Sequence, residues 1–390
     1  MHVVHLNYWY DSKMTSLEDV LAIHPSTAGW AESLHAAGAQ VTVVQRFHRG
    51  AQHVRGGVRF VLVADPYPPH LRQWQISRSL TRALQQTCAE TRSHREPTAV
   101  HFNGLQFPLH LRAARAALPP EVVIAVQHHA EKPWPGVRRC IQKLGLRVAD
   151  GFFFAALDQA APWREQGLIS PHQGVYEVME DSTSFRRADR ALSRARTGVI
   201  GDPVVLWVGR LNALKDPLAV LRGFESVVRA RPQARLYMVY GSEDLLPAVR
   251  DCLAGSGLLA SSVTLLGRVP HPELEPLYNS ADYFVLGSHY EGSGYSLAEA
   301  MACGVVPIVT DIPSFRAMTD GGKIGACWPP GDSAAFAEAF CQVSRQPLQV
   351  LSDRAARFFE ENLSYPAIAR KAMRAYAELA AKRVERKQCA

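Results

Sequence analysis

Strand-length apolar runs alternate with amphipathic helical stretches along this chain, and the alternation occurs twice. That doubled pattern leaves very few folds open. In the first half, β-branched runs at 3–7, 40–45, 58–63, 99–103, 122–127, 151–155 and 175–179 are separated by helical patterns such as 28–37, 71–87 and 108–117. From Asp181 to Gly201 the pattern gives way to a polar, Arg-rich stretch. It then resumes with runs at 204–208, 235–239, 263–266, 283–286 and 305–309, and helices at 217–230, 245–253, 296–302 and 334–343. Runs apolar on both faces are parallel strands covered by helices. Two such sets predict an α/β chain of two doubly wound Rossmann-like domains facing across a cleft, with ligands at the carboxyl ends of the strands. The expected division is 1–180 for an N-terminal, acceptor-side domain, 181–201 for a linker and 202–364 for a C-terminal, nucleotide-binding domain. A last helix within 365–390 is expected to pack back toward the first domain.

Composition narrows the function classes. No apolar run reaches the length of a membrane span, and residues 1–10 read as a buried strand, not a secretory leader. Seven cysteines are dispersed without a Cys-x-x-Cys pair, which predicts reduced thiols and a cytoplasmic address, with the inner membrane face as a peripheral alternative. The formal net charge of +7 lies wholly in residues 1–198, which also hold thirteen of the fifteen histidines. A basic first half suggests an anionic acceptor, a lipid-linked molecule or a glycan, and peripheral membrane contact. The cations are scattered instead of clustered, so no nucleic-acid partner is expected. In the last helix, Lys382, Arg383, Arg386 and Lys387 gather at the negative end of the helix dipole.

The chemistry is concentrated in the second half. In Val208-Gly209-Arg210-Leu211-Asn212-Ala213-Leu214-Lys215-Asp216-Pro217 a strand ends, two cations follow, and Pro217 opens a helix. A guanidinium and an ammonium beside a helix N-terminus suit a diphosphate. Further on, Glu291-Gly292-Ser293-Gly294-Tyr295-Ser296 forms a Gly-rich loop leading into a helix that carries Glu299 and stops at Gly304. Glycines let backbone N–H groups approach an anion, and the helix N-terminus adds partial positive charge. Carboxylates such as Glu291 and Glu299 can hold vicinal sugar hydroxyls.

The Glu–seven residues–Glu element, with Glu-Gly-x-Gly before it and Glu-Ala-Met-Ala-x-Gly-x-x-Pro after it, resembles the signature of family 4 retaining glycosyltransferases of the GT-B type. Gly-Arg…Lys-Asp-Pro, about 80 residues upstream, is similar to that family's diphosphate motif. The resemblance is strong over 203–340 and broader elsewhere. It implies that Arg210 and Lys215 bind the donor diphosphate and that Glu299 holds the ribose. Glu291 and the segment Gly292, Ser293, Gly294, Tyr295 and Ser296 face the sugar and phosphates, and Arg268 and Val269 lie against the base. In the first half, Val100-His101-Phe102-Asn103-Gly104 and Val126-Gln127-His128-His129 look like the family's strand-end histidine motifs. His128 is the expected catalytic histidine near the reacting sugar, with His129 in reserve. Trp9, His101, His129 and Trp134 are acceptor-side candidates. Two departures stand out. Pro25-Ser26-Thr27-Ala28-Gly29-Trp30 replaces the family's Gly-Gly loop, and Glu180-Asp181-Ser182-Thr183 replaces Asn-Gly-Val-Asp near the hinge.

Retaining transfer of a hexose-type sugar to a hydroxyl acceptor is therefore expected, from a UDP- or GDP-type donor and without a cofactor. No Asp-x-Asp or zinc-spaced His/Cys cluster occurs, which agrees with metal-independent catalysis. A sugar-nucleotide epimerase, a phosphorylase and a non-catalytic nucleotide-sugar-binding module are the competing classes. The four charged motif residues Arg210, Lys215, Glu291 and Glu299 weigh against the epimerase and the non-catalytic module, and no cofactor-lysine context supports a phosphorylase.

Overall fold

The computed structural model describes residues 1–92 and 96–388; side chains of residues 91–92 and 386–388 lie outside the description, as do the expected basic cluster's Arg386 and Lys387 and the whole of Cys389. The described chain divides into two compact units, Met1–Asp181 with Tyr365–Ala390, and Ser182–Ser364.

The first unit holds strands β1 (His2–Asn7), β2 (Gln40–Phe47), β3 (Ala51–Arg55), β4 (Val58–Ala64), β5 (Thr98–Asn103), β6 (Val123–Gln127), β7 (Gly151–Phe154) and β8 (Gly174–Glu177). Among the described residues they form one sheet in the order β3-β4-β2-β1-β5-β6-β7-β8. All neighbours run parallel except β3 and β4. These two form a hairpin closed by Gly56 and Gly57, both at positive φ. A two-residue turn of this hand favours glycine at both positions. Strand β3 is almost wholly exposed, so it lacks the apolar alternation that reveals a strand.

The stretch 71–87, expected to be helical throughout, becomes helical only at Arg78–Arg92. Ser77, fully buried, accepts the Leu80 N–H on its side-chain oxygen and caps the start. The residues before it follow Pro66, Pro68 and Pro69 and are drawn into a loop held by Arg46. This guanidinium is fully buried, pairs with Asp65 at 2.8 Å, and donates to the carbonyls of Tyr67, Pro68 and Pro69. The helix Tyr365–Gln388 packs on this unit. Its Tyr376 hydroxyl lies 2.6 Å from His101 Nδ1, and Arg383 pairs with Asp150. Gly29 allows close approach, because a Cβ there would sit 2.4 Å from the Tyr365 ring.

The second unit has strands β9 (Val204–Gly209), β10 (Arg235–Tyr240), β11 (Val263–Gly267), β12 (Tyr283–Leu286), β13 (Val306–Thr310) and β14 (Ala326–Trp328). Among the described residues their order is β11-β10-β9-β12-β13-β14, all parallel. The Arg-rich stretch read as a linker contains the helix Arg190–Thr197. Its Arg194 donates to Asp282 at 2.7 Å, and Arg190 lies 3.5 Å from the same carboxylate.

The two sheets share one anchoring device. Asp150, preceding β7, accepts the Ile124 N–H on its carboxylate and returns its own N–H to the Ile124 carbonyl, both at 2.8 Å. Asp282, preceding β12, does the same with Val204 at 2.7 and 2.8 Å. Each nearly buried carboxylate then meets an arginine from a flanking helix, so a charge at the strand entrance is hydrogen-bonded and paired.

Candidate functional site

At the carboxyl ends of β9 and β12 two loops are held together by their own backbone and side chains. Asp216, at φ 37°, caps the helix Pro217–Ala230 by accepting the Ala219 N–H at 3.1 Å. Its other oxygen lies 3.1 Å from His289 Nε2, and the His289 N–H donates to the Leu214 carbonyl at 2.8 Å. Gly287 makes this approach possible, since a Cβ there would stand 2.8 Å from the Asp216 carbonyl oxygen.

The approach brings Lys215 and Glu291 into an ion pair, with both side chains nearly buried. Ser288 Oγ donates to the same Glu291 oxygen at 2.6 Å, and the Ser288 carbonyl in turn accepts from Thr310. Residues separated by 76 positions are thus held in one charged cluster. Arg210, one residue past β9, is exposed and has no ion-pair partner among the described residues. Gly292, Ser293 and Gly294 are buried, and Gly294 at φ 93° leads into the helix Tyr295–Ala302, whose N-terminus has no side-chain cap. Tyr295 and Ser296 are half-buried at that helix start. The N–H groups of that helix start carry partial positive charge into the same loop cluster.

Glu299 is 1% exposed, one turn inside the helix. Both of its oxygens are engaged by the protein, one accepting from His271 Nε2 at 2.6 Å and the other from the Tyr278 hydroxyl at 2.8 Å. Burial, reinforced by the Glu299 charge, drives the Tyr278 hydroxyl well above its ordinary pKa, so it remains a donor. His271 stacks on Phe185 at 4.8 Å, and Tyr295 lies against its ring at 5.8 Å. Sequence reading missed His271 and Phe185. His271 follows directly on the Gly267-Arg268-Val269-Pro270 segment, and that position is the signal that was available. Arg268 is exposed and Val269 half-buried after β11.

In the first unit, a cavity of about 620 Å³ opens at the carboxyl ends of β1, β2, β5 and β6. It corrects the histidine assignment. His128 is 1% exposed; its Nε2 lies 2.9 Å from the Glu131 carbonyl, and its ring packs on Phe154 and Trp163. It is a core residue and does not line the cavity. His129 does line it. Its Nδ1 lies 2.5 Å from the Glu180 carboxylate and its Nε2 lies 3.1 Å from the Asn103 amide oxygen, so both nitrogens act as donors. Burial opposes its charge, but Glu180 and Glu131 prevail and raise its pKa to about 9. His129 is therefore an imidazolium at neutral pH and a donor, not a base.

His101 is likewise corrected. It is buried, stacks on His5 at 4.5 Å, and meets Tyr376 instead of the cavity. Burial holds it well below its ordinary pKa. Trp134 is half-buried, its backbone N–H donates to Gln142, and it does not line the cavity. Trp9 does line it, with its Nε1–H donating to His70 Nδ1 at 3.2 Å. The segment in place of a Gly-Gly loop forms the first turn of the helix Pro25–Ala36, and Ser26, Thr27 and Trp30 present it to the cavity. Arg46 acts at one remove, fixing the loop that carries His70 and Leu71 to the rim.

Residues 202–346 match the family model described as glycosyl transferases group 1. The likeness to glycosyl transferases thus lies in the second unit, around the cluster just described. Among curated relatives, D-inositol 3-phosphate glycosyltransferase of Thermobispora bispora is 28% identical over 238 residues, covering 58% of this chain and 56% of the relative. Mannosylfructose-phosphate synthase of Agrobacterium fabrum is 35% identical over 142 residues, covering 34% and 31%. The chain thus spans about half the length of the first relative and less of the second. Sucrose-phosphate synthase from Thermosynechococcus elongatus superposes with a TM-score of 0.68 at 20% identity, covering 98% of this chain and 100% of that one. The fold is of the two-domain GT-B type, as expected. Among the described residues no helix is long and apolar enough to cross a membrane, and no group of three or more His, Cys, Asp and Glu gathers as a metal site.

Proposed function

We propose that this chain is a glycosyltransferase that moves a hexose-type sugar from a nucleotide diphosphate to a hydroxyl acceptor, with retention at the anomeric carbon and without a metal. The observation that carries the reading is the cluster at the ends of β9 and β12: exposed Arg210, the Lys215–Glu291 pair and the Gly-rich start of the helix Tyr295–Ala302. Cleaving the donor leaves extra negative charge on the diphosphate. Fixed positive groups aimed at that oxygen are the largest lever a protein has on such a step. Arg210 and Lys215 serve there as cations, and the helix start supplies backbone donors. Glu291, released from Lys215 as the diphosphate arrives, turns toward the sugar hydroxyls. Glu299 is held in place by His271 and Tyr278, and the ribose is its proposed partner. His129 donates from the acceptor side.

The likeness to glycosyl transferases and the named activities of the relatives support this reading over an epimerase or a phosphorylase. The test is to incubate the full chain with a panel of UDP- and GDP-linked hexoses and acceptor extracts, in chelator. Transfer products with the donor's anomeric configuration are expected. Isomerised or phosphorolytic products, or nucleotide-sugar binding without any turnover, would count against it.

A further inference from the structure

We infer that the first-unit cavity takes an uncharged polyhydroxylated acceptor, a sugar or polyol without a phosphate or carboxylate group. This inference rests on the transferase reading above and names the acceptor class for that reaction. The curated relatives carry phosphate in their names, and the chain as a whole is basic, so an anionic acceptor is the competing expectation. The cavity wall has a different character. Among the described residues it contains no lysine or arginine, while Glu131, Glu180 and Asp181 all line it. Its imidazolium, His129, is already in contact with Glu180, and its backbone N–H donates to Glu131 at 2.5 Å. Three carboxylates against one paired cation repel a phosphate dianion. The start of the helix Pro25–Ala36 attracts anions, but with only partial charge.

The second observation concerns unfilled hydrogen bonds. His5 is 4% exposed, and its Nε2 has no partner; His24 Nε2 is likewise buried and without one. Both residues line the cavity. Burial holds His5 at a pKa of about 4 and lowers that of His24, so both rings are neutral. A neutral imidazole nitrogen pairs with a hydroxyl, which can accept or donate as the tautomer requires. Buried polar atoms without partners are uncommon, and two in one wall mark where a ligand's hydroxyls belong. Trp9 and Trp30 add aromatic faces suited to the C–H face of a sugar ring.

The full chain is tested with UDP- and GDP-linked hexoses and matched acceptors: hexoses and inositols, each with and without a phosphate monoester. In every pair that turns over, the unphosphorylated member should have kcat/KM higher by about tenfold or more. Preference for the phosphorylated member overturns the inference. If no donor transfers to any acceptor, the transferase reading fails, and a binding measurement then decides the cavity's preference separately. Histidine side-chain nitrogens are labelled, the His129 signal is assigned with His129→Gln, and inorganic phosphate is added to millimolar concentration. An unmoved His129 signal supports the inference, and a saturable shift overturns it.

Discussion

The carboxyl ends of the two sheets solve different chemical problems. On the second sheet the polar groups lie in two short loops and the starts of two helices, and each is engaged by the protein before any ligand arrives: Lys215 pairs with Glu291, while the His289 and His271 rings meet the carboxylates of Asp216 and Glu299. On the first sheet the wall is drawn from across the unit, between His5 and Asp181, and combines aromatic rings, neutral imidazoles and carboxylates. The first arrangement suits an anion that displaces a carboxylate from its cation. The second suits hydroxyls. The whole chain's positive excess lies in the first half of the sequence, yet no lysine or arginine among the described residues lines that half's cavity. Net charge by segment is therefore a poor guide to the charge of a site.

The largest expected effect tests the second sheet. Arg210→Ala and Lys215→Ala should each lower the transfer rate by about 10²–10³ while circular dichroism stays native. Near-normal turnover in either would place the charge-stabilising site elsewhere. Next is Glu299→Ala. It leaves the buried Tyr278 hydroxyl without its acceptor, and should cost about 1–3 kcal/mol in denaturant unfolding as well as weakening donor binding. Glu299→Gln keeps an acceptor for Tyr278 and should lose less stability. Equal losses would mean that the charge, not the hydrogen bonds, holds the cluster.

The first unit's histidines give a smaller effect with a definite sign. His129 has its pKa raised to about 9 in the folded chain, so its stabilising contribution is complete below 6.5 and is lost as pH climbs through 9. His2, His5 and His110 are held neutral at about 4, chiefly by burial, so their contribution is complete above 6.5 and fades as pH falls toward 4. Stability against urea should therefore peak near pH 6.5. His129→Gln should flatten only the alkaline side. A mutant that instead changes the acid side would show that the Glu180 pair does not control His129.

The sequence revealed the second site far more fully than the first, for a physical reason. Arg210, Lys215, Glu291 and Glu299 sit in contiguous loops and one helix, where spacing along the chain nearly fixes spacing in the fold. The alternation of apolar strands likewise revealed both sheets. The cavity depends on which way a side chain leaves the end of a strand, and neighbours differ completely: His128 enters the core while His129 faces the cavity, the backbone turning directly afterwards at Ala130, φ 64°. No pattern in Gln127-His128-His129-Ala130 announces that turn. Strand β3 was hidden because exposed strands lack apolar alternation, although Gly56-Gly57 marked its hairpin. The Arg-rich stretch looked like a linker because its cations find their carboxylate partner, Asp282, some ninety residues away.

The smallest expected effect sharpens the boundary of the proposed acceptor cavity. Trp134 and Trp9 are both aromatic residues of the first unit near a strand end, and sequence alone gives no ground to prefer one. Trp134 contributes a backbone N–H to Gln142 and stands outside the wall, so Trp134→Phe preserves every contact the cavity uses. Trp9 is in the wall, and its Nε1–H donates to His70, which also lines it. Trp9→Phe removes that donor from a loop that Arg46 still holds, at a cost of about 0.5–1.5 kcal/mol for one hydrogen bond. The acceptor KM should thus rise several-fold for Trp9→Phe and stay unchanged for Trp134→Phe, with kcat affected less than KM in both. If Trp134→Phe raised KM as much as Trp9→Phe, the acceptor would extend beyond the wall described, along the turn that follows His129.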